Sequence, residues 1–239
     1  MTILQDIETD LQNLADQETA KHSQHFFKTG KGEYGEGDQF LGICVPVIRK
    51  LAKKFSHLSL SDIQALLKSK FHEQRLLAII MLINRFKKAD AKDQKDIFLL
   101  YIKNIKYINN WDLVDVSAPQ IVGAYLSDKN KSLLYDLVVS DSLWERRIAI
   151  ISTFYFIRNN DFTDSLKLSE NLLNDTHDLI HKAVGWMLRE IGKKDRLAEE
   201  AFLDQFATIM PRTMLRYALE KFPDEIRKSY MGMKHRLTV

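Results

Sequence analysis

Trp111 and Asp115 stand four residues apart, Lys182, Trp186 and Arg189 follow at i, i+4 and i+7, and Arg147 lies between the two groups. On α-helices each group shares one face. A surface holding a carboxylate, two indoles and several cations matches duplex DNA carrying a damaged base. Guanidinium and ammonium groups hold phosphates, while indoles contact sugar or base through their π faces. The same spacing also suits a tryptophan in a core and an acid in a structural ion pair. Asp112 sits three residues before Asp115, so spacing leaves open which carboxylate works.

Residues so far apart meet only if the elements carrying them recur in equivalent places. After residue 45, proline and glycine are sparse: Pro46, Pro119, Pro211 and Pro223, with Gly123, Gly185, Gly192 and Gly232. Long helices with short connections follow. From His72 to Lys88 the apolar residues Leu76, Leu77, Ile79, Ile80, Leu82, Ile83 and Phe86 leave polar ones mainly at the ends, the pattern of a mostly buried helix. Ser59 and Asp62 form a helix start of the Ser-x-x-acid kind. Pro46 and Pro211 suit first helical positions.

Helix pairs are expected over roughly 59–88, 90–126, 130–158, 162–192 and 196–221. The second helix of each pair begins near residues 72, 110, 143, 178 and 212, at spacings of about 38, 33, 35 and 34, the period of a helical solenoid. No strand-like alternation competes. The expectation is an all-α, HEAT-like repeat array, an α-α superhelix forming a single curved domain over 1–239 with a basic concave face. Amino-terminal helices would occupy 1–27, a Gly-rich connector 28–44 and helix pairs 45–231.

Composition bounds the rest. Of 239 residues, 45% are hydrophobic, ample for a core. Asp6, Glu8, Asp10, Asp16 and Glu18 place −5 in the first twenty residues, so a net charge of +3 leaves +8 on residues 21–239, compatible with phosphate binding. Cys44 is the single cysteine. It excludes an internal disulfide framework and a thiolate-rich metal cluster, and within the apolar run Leu41–Val47 it is expected to pack as a small hydrophobe. Met1–Asp10 lacks a basic flank and a continuous apolar stretch, so no signal peptide is expected. The longest apolar run, Leu76–Ile83, is less than half of the roughly 18 residues a membrane span needs. A cytoplasmic protein, nucleoid-associated in a prokaryote, is the expectation.

Three segments carry a family resemblance: Asn110-Trp111-Asp112-Leu113-Val114-Asp115, Leu143-Trp144-Glu145-Arg146-Arg147-Ile148-Ala149-Ile150, and Lys182-Ala183-Val184-Gly185-Trp186-Met187-Leu188-Arg189-Glu190. In order and interval they resemble the signature segments of the DNA alkylation repair family of AlkD-like helical-repeat glycosylases. The likeness extends through Gly32–Gly37, Phe40–Gly42, Val45–Lys50 and Met210–Tyr217, covering about residues 20 to 220. It implies a DNA glycosylase of base excision repair that binds double-stranded DNA and hydrolyses the N-glycosidic bond of N3- or N7-alkylated purines. It implies no metal and no organic cofactor. The catalytic carboxylate would be Asp115, the aromatic walls Trp111 and Trp186, and the backbone-positioning cation Arg147. Lys182, Arg189, Arg75 and Arg216 are further candidates for phosphate contacts.

The chemistry implied by the resemblance is coherent. An alkylated purine is already cationic and leaves as a neutral base, so no general acid is needed. Asp115 would stabilise positive charge developing on the deoxyribose or orient water, the tryptophans would add cation-π attraction, and Arg147 would fix the backbone by a bidentate phosphate contact. Glycosylases generally flip the target base into a pocket; the resemblance instead implies a lesion left largely in the stack. Some relatives lack the catalytic acid and bind DNA without excision, so a non-catalytic DNA-binding protein of the same fold is the first alternative. A protein-protein adaptor solenoid is the second. The expectation is a monomer with no membrane and no obligate protein partner.

Other features are plainer. His177 and His181, i, i+4 with Asp178 between, have the spacing of a helical zinc pair but no evident third ligand. Gly30, Gly32, Gly35 and Gly37 are followed by no Gly-Lys-Ser/Thr, and Glu33, Glu36 and Asp38 would repel an anion; a flexible connector is expected there.

Overall fold

The computed structural model describes residues 3–233, so the outermost ends of the expected 1–239 domain lie outside the described residues. Contacts divide the chain into two compact units, with the division after Ser117. The fold is an all-α helical repeat. Among the described residues no helix is long and apolar enough to cross a membrane.

The first unit contains α1 (Ile3–Asn13), α2 (Gln17–Phe26), α3 (Val45–Lys54), α4 (Leu60–Leu67), α5 (His72–Phe86), α6 (Ala91–Lys103) and the start of α7 (Trp111–Ala118). Side chains of Asp16, Ser59 and Asp90 cap α2, α4 and α6 by accepting from the N–H groups of Thr19, Asp62 and Asp93, which satisfies donors that a helix start leaves unpaired. α5 is the core element, buried without a break from His72 to Ile83, and α3 and α4 pack on it.

The expected flexible connector is instead a folded segment. The N–H groups of Gly30 and Gly32 donate to the carboxylates of Glu33 and Glu36, both at 2.9 Å. Gly42 has φ +81° and lies so close to the backbone of Asp16 and Ala20 that a Cβ could not fit. The acids that argue against anion binding are thus what fold the stretch. Cys44 also departs from expectation: it is exposed at the residue before α3, because the apolar run ends at the helix start rather than continuing into the core.

The second unit opens with a π-helical turn, Pro119–Gly123, and continues as α8 (Ala124–Leu126), α9 (Ser132–Val138), α10 (Leu143–Ser152), α11 (Phe154–Arg158), α12 (Thr163–Asn171), α13 (Asp178–Gly192), α14 (Arg196–Phe206), α15 (Arg212–Ala218) and α16 (Asp224–Gly232). Pro119 has no N–H and its ring crowds the preceding turn; a π turn widens the helix where a regular turn would clash. α10 and α11 break at Thr153. The hydroxyls of Ser152 and Thr153 donate to the carbonyls of Ile148 and Ile150 at 2.6 and 2.7 Å, and such back-bonding bends helices.

α13 is seated by two glycines. Gly185 abuts the Met214 carbonyl and Cβ of Tyr217 on α15, with no room for a Cβ. Gly192 lies beneath the carboxyl of Glu199 on α14. Glu199 is buried with Oε1 lacking a hydrogen-bond partner among the described residues; burial pushes its carboxyl up to about 8, against the opposing charge of Arg196.

Two stability predictions follow from this seating. Alanine at an exposed helical glycine gains up to about 1 kcal/mol, but overpacking costs about 1–3 kcal/mol, so Gly185→Ala is expected to lower the urea midpoint. A midpoint at or above that of the wild type would show that α13 and α15 can part freely. For Glu199, the native state keeps a proton that the unfolded state loses, so stability falls as pH rises from the ordinary 4.5 to about 8. Glu199→Gln is expected to match the wild-type melting temperature near pH 4.5 and to exceed it above pH 8.

Candidate active site

In the first unit the start of α7 is held from two sides. The N–H of Trp111 donates to Oδ1 of Asn110 at 2.8 Å, a local contact. At longer range, Oδ2 of Asp112 meets Nε2 of His72 at 2.8 Å, while Nδ1 of His72 meets Oδ2 of Asp38 at 3.0 Å. Arg75 completes the chain by donating to Oδ1 of Asp38 at 2.6 Å. Burial disfavours the imidazolium of His72, but hydrogen bonds and charge from Asp112 and Asp38 outweigh it and raise His72 to about 9. Both ring nitrogens thus face carboxylates, which favours the imidazolium over the neutral ring. Asp38 is also buried, which opposes its charge, yet His72 and Arg75 hold it below the usual carboxylate range.

An aromatic stack lies against this chain. Phe40 stacks on the His72 ring at 4.6 Å, Phe27 on Phe40 at 5.1 Å, and Trp111 on Phe27 at 5.3 Å. The half-buried Trp111 and Asp115 share one face of α7, as their spacing requires. Asp115 is near enough to Tyr101 for its charge to add to burial in holding that phenol protonated. Asp112 is tied to His72 and to the Leu113 N–H, both at 2.8 Å.

In the second unit the candidates lie on α10 and α13. Arg147 is 5% exposed, with Nη1 donating to the Leu179 carbonyl near the start of α13. On α13, Ile180, Ala183, Val184, Met187, Leu188 and Ile191 are buried, which turns Lys182, Trp186 and Arg189 to the remaining face. Trp186 donates from Nε1 to Glu190 at 3.0 Å and packs on Phe154 at 5.5 Å. Lys182 pairs with Asp178 at 2.7 Å, and Arg189 with Glu220. Arg216 is exposed and borders a surface cavity of about 380 Å³ with Arg227 and Lys228.

Arg75 requires correction. Expected to contact phosphate, it is 3% exposed and donates to Asp38 and to the Ser69 carbonyl; it serves the buried charge chain. His177 caps α13 by accepting from the Leu179 N–H, and Nε2 of His181 meets the Asp175 carbonyl at 2.5 Å, so both take part in the turn before α13.

The sequence model of a family described as DNA alkylation repair enzyme matches residues 7–222. The chain belongs to that family. Among solved structures, the fold is similar to a predicted DNA alkylation repair enzyme from Enterococcus faecalis, with a TM-score of 0.70 at 16% identity over 88% of this chain and 97% of that one. It is also similar to AlkD2 from Streptococcus mutans, with a TM-score of 0.53 at 17% identity over 92% and 97%. A Streptococcus mutans UA159 protein, smu.31, gives 0.53 at 18% over 93% and 100%. Among curated proteins none matches in sequence.

Within this family member, sequence reasoning did not single out Asp38, His72, Glu73 or Glu190. One signal was available: His72, Glu73, Gln74 and Arg75 are four consecutive polar residues opening an apolar helix, and all four are buried. Four buried polar side chains in a row need partners.

The raised His72 sets a pH dependence. The imidazolium is favoured in the folded state, so its stabilisation is complete below about 6.5 and lost as pH rises through about 9. Removing one partner from a buried charge network costs about 3–5 kcal/mol. His72→Gln is expected to be destabilised by that order at pH 6.5, with the gap to wild type narrowing by pH 9.5 in urea titrations. A gap constant across that range would count against a charged His72.

Proposed function

We propose that this protein is a DNA glycosylase that hydrolyses the N-glycosidic bond of N3- and N7-alkylated purines in duplex DNA, with Asp115 as its catalytic carboxylate. The observation that carries this reading is membership of the DNA alkylation repair family over residues 7–222. Within that stretch Trp111 and Asp115 stand one turn apart on the same face of α7.

The leaving base is neutral once the bond breaks, so the barrier lies in positive charge gathering on the sugar. A carboxylate held in a partly buried site opposes that charge far more strongly than in water. Trp111, steadied by Phe27, adds the attraction of its π face. In the second unit, Trp186, with its indole N–H fixed by Glu190, would offer its π face to the DNA. Arg147 would hold the backbone, and Lys182, Arg189 and Arg216 would contact phosphates further along. Lys182 and Arg189 are paired with carboxylates, and exposed pairs of this kind are worth only about 0–1 kcal/mol, so a phosphate can replace the acid. The protein would act as a monomer.

The test is release of 7-methylguanine and 3-methyladenine from methylated duplex DNA by the purified protein with EDTA present. Wild type is expected to release both. Asp115→Asn is expected to lose at least about 100-fold in rate with duplex affinity nearly unchanged, whereas Arg147→Ala weakens binding and release together. Equal release by wild type and Asp115→Asn would remove Asp115 from the chemistry.

A further inference from the structure

The connector and α7 are joined through one imidazole. Asp38 comes from the connector, Asp112 from the first turn of α7, and His72 from the first turn of α5 touches both. The connector is itself clamped to α5: the N–H groups of Leu41, Gly42 and Ile43 donate to the Glu73 carboxylate at 2.9, 2.8 and 3.3 Å, and the His72 N–H donates to the Gln39 carbonyl at 2.8 Å. The His72 ring also lies against Phe40 at 4.6 Å and Phe27 at 5.1 Å, and Phe27 carries Trp111. His72 thus meets α7 twice, through Asp112 and through the stack beneath Trp111.

We propose that His72 is a positioning residue for α7, its imidazolium fixing where Trp111 and Asp115 stand by bridging Asp38 and Asp112. The protonated ring donates from both nitrogens, one to each carboxylate; a neutral ring keeps one N–H and must give up one contact. Which contact fails is decided by burial. The Asp38 side chain is 2% exposed and has Arg75 to hold it in place, whereas Asp112 is 17% exposed and can turn to water. Loss of the proton therefore releases α7 and leaves the connector bound. The charged groups facing His72 are Asp38 from the connector and Asp112 from α7. On α5, Arg75 acts through Asp38 and Glu73 is occupied by the connector N–H groups; Phe27, the residue after α2, presents an aromatic ring.

The catalytic consequence rests on the glycosylase reading, but the positioning can be read without it. In the full chain carrying Trp144→Phe and Trp186→Phe, Trp111 is the sole tryptophan. Its emission is expected to shift with a midpoint at about pH 9, and adding His72→Gln is expected to abolish that transition. Asp112→Asn, which keeps the histidine and removes one carboxylate, is expected to lower the midpoint and provides the reading should His72→Gln fail to fold. A flat emission between pH 7 and 10, or a transition unchanged by both substitutions, overturns the proposal.

With all tryptophans restored, His72→Gln is expected to excise about 100-fold more slowly in single turnover, the scale of an active-site displacement, while its affinity for undamaged duplex stays within about twofold. An unchanged rate overturns the proposal. If the wild type releases no base, the glycosylase reading fails, and the fluorescence transition alone decides the role of His72.

Discussion

A carboxylate taken out of water must be met by a cation or by N–H donors, because an isolated buried charge costs several kcal/mol. The first unit answers that constraint twice at the start of α5. Glu73, 3% exposed, receives three backbone N–H groups of the connector; Asp38 receives His72 and Arg75. Each solution draws the connector onto α5, and the second also reaches α7. The site in this unit is therefore held by electrostatics that tolerate little movement, since leaving either acid unpaired would cost more than a typical exposed ion pair supplies. In this glycine-rich segment backbone N–H groups are met by its own acids and by Glu73 of α5.

The second unit is governed by close approach. Gly185 lets α13 lie against the backbone of α15, and Gly123 lies against the Ser152 carbonyl at the end of α10. Helices seated this closely cannot rotate without losing packing across their apolar faces, so the opposite face of α13 is set with them. Around it Glu190 accepts from Trp186 at 3.0 Å and pairs with Lys193 at 2.6 Å. The indole is thereby fixed by a hydrogen bond at its edge, which leaves its π faces to packing and to any ligand.

The fold was legible in the sequence because it is periodic. The second helices of the expected pairs begin at His72, Trp111, Leu143, Asp178 and Arg212, within a residue of where the apolar spacing puts them. The Ser59 cap was equally readable, since capping is local. What escaped was non-local or set by competition. Asp38 and His72 are 34 residues apart, and nothing in either neighbourhood announces the pair. The role of Arg75 was misjudged for the same reason, since a basic residue at a helix start looks like a phosphate contact until its buried partner is known. The break at Thr153 arises from hydroxyls competing with the helix for its own carbonyls, a balance that a hydrophobic pattern does not record. Trp111, Asp115, Arg147 and Trp186 were found through motif likeness, and their spacing alone admits a structural role.

The two acids of α7 illustrate why position in a network matters more than residue type. Asp112 faces an imidazolium at 2.8 Å, so at the distance of a bound sugar the two charges act as a dipole whose field falls off faster than that of a single charge. Moving Asp112 toward a reacting centre would also take from the buried His72 one of its two carboxylate partners, at the cost of loosening a buried charge network. A carboxylate so engaged serves best by staying still. Under the glycosylase reading Asp115 stands one turn from Trp111 on the same face of α7, and the stillness of Asp112 gives that turn a fixed place from which to act.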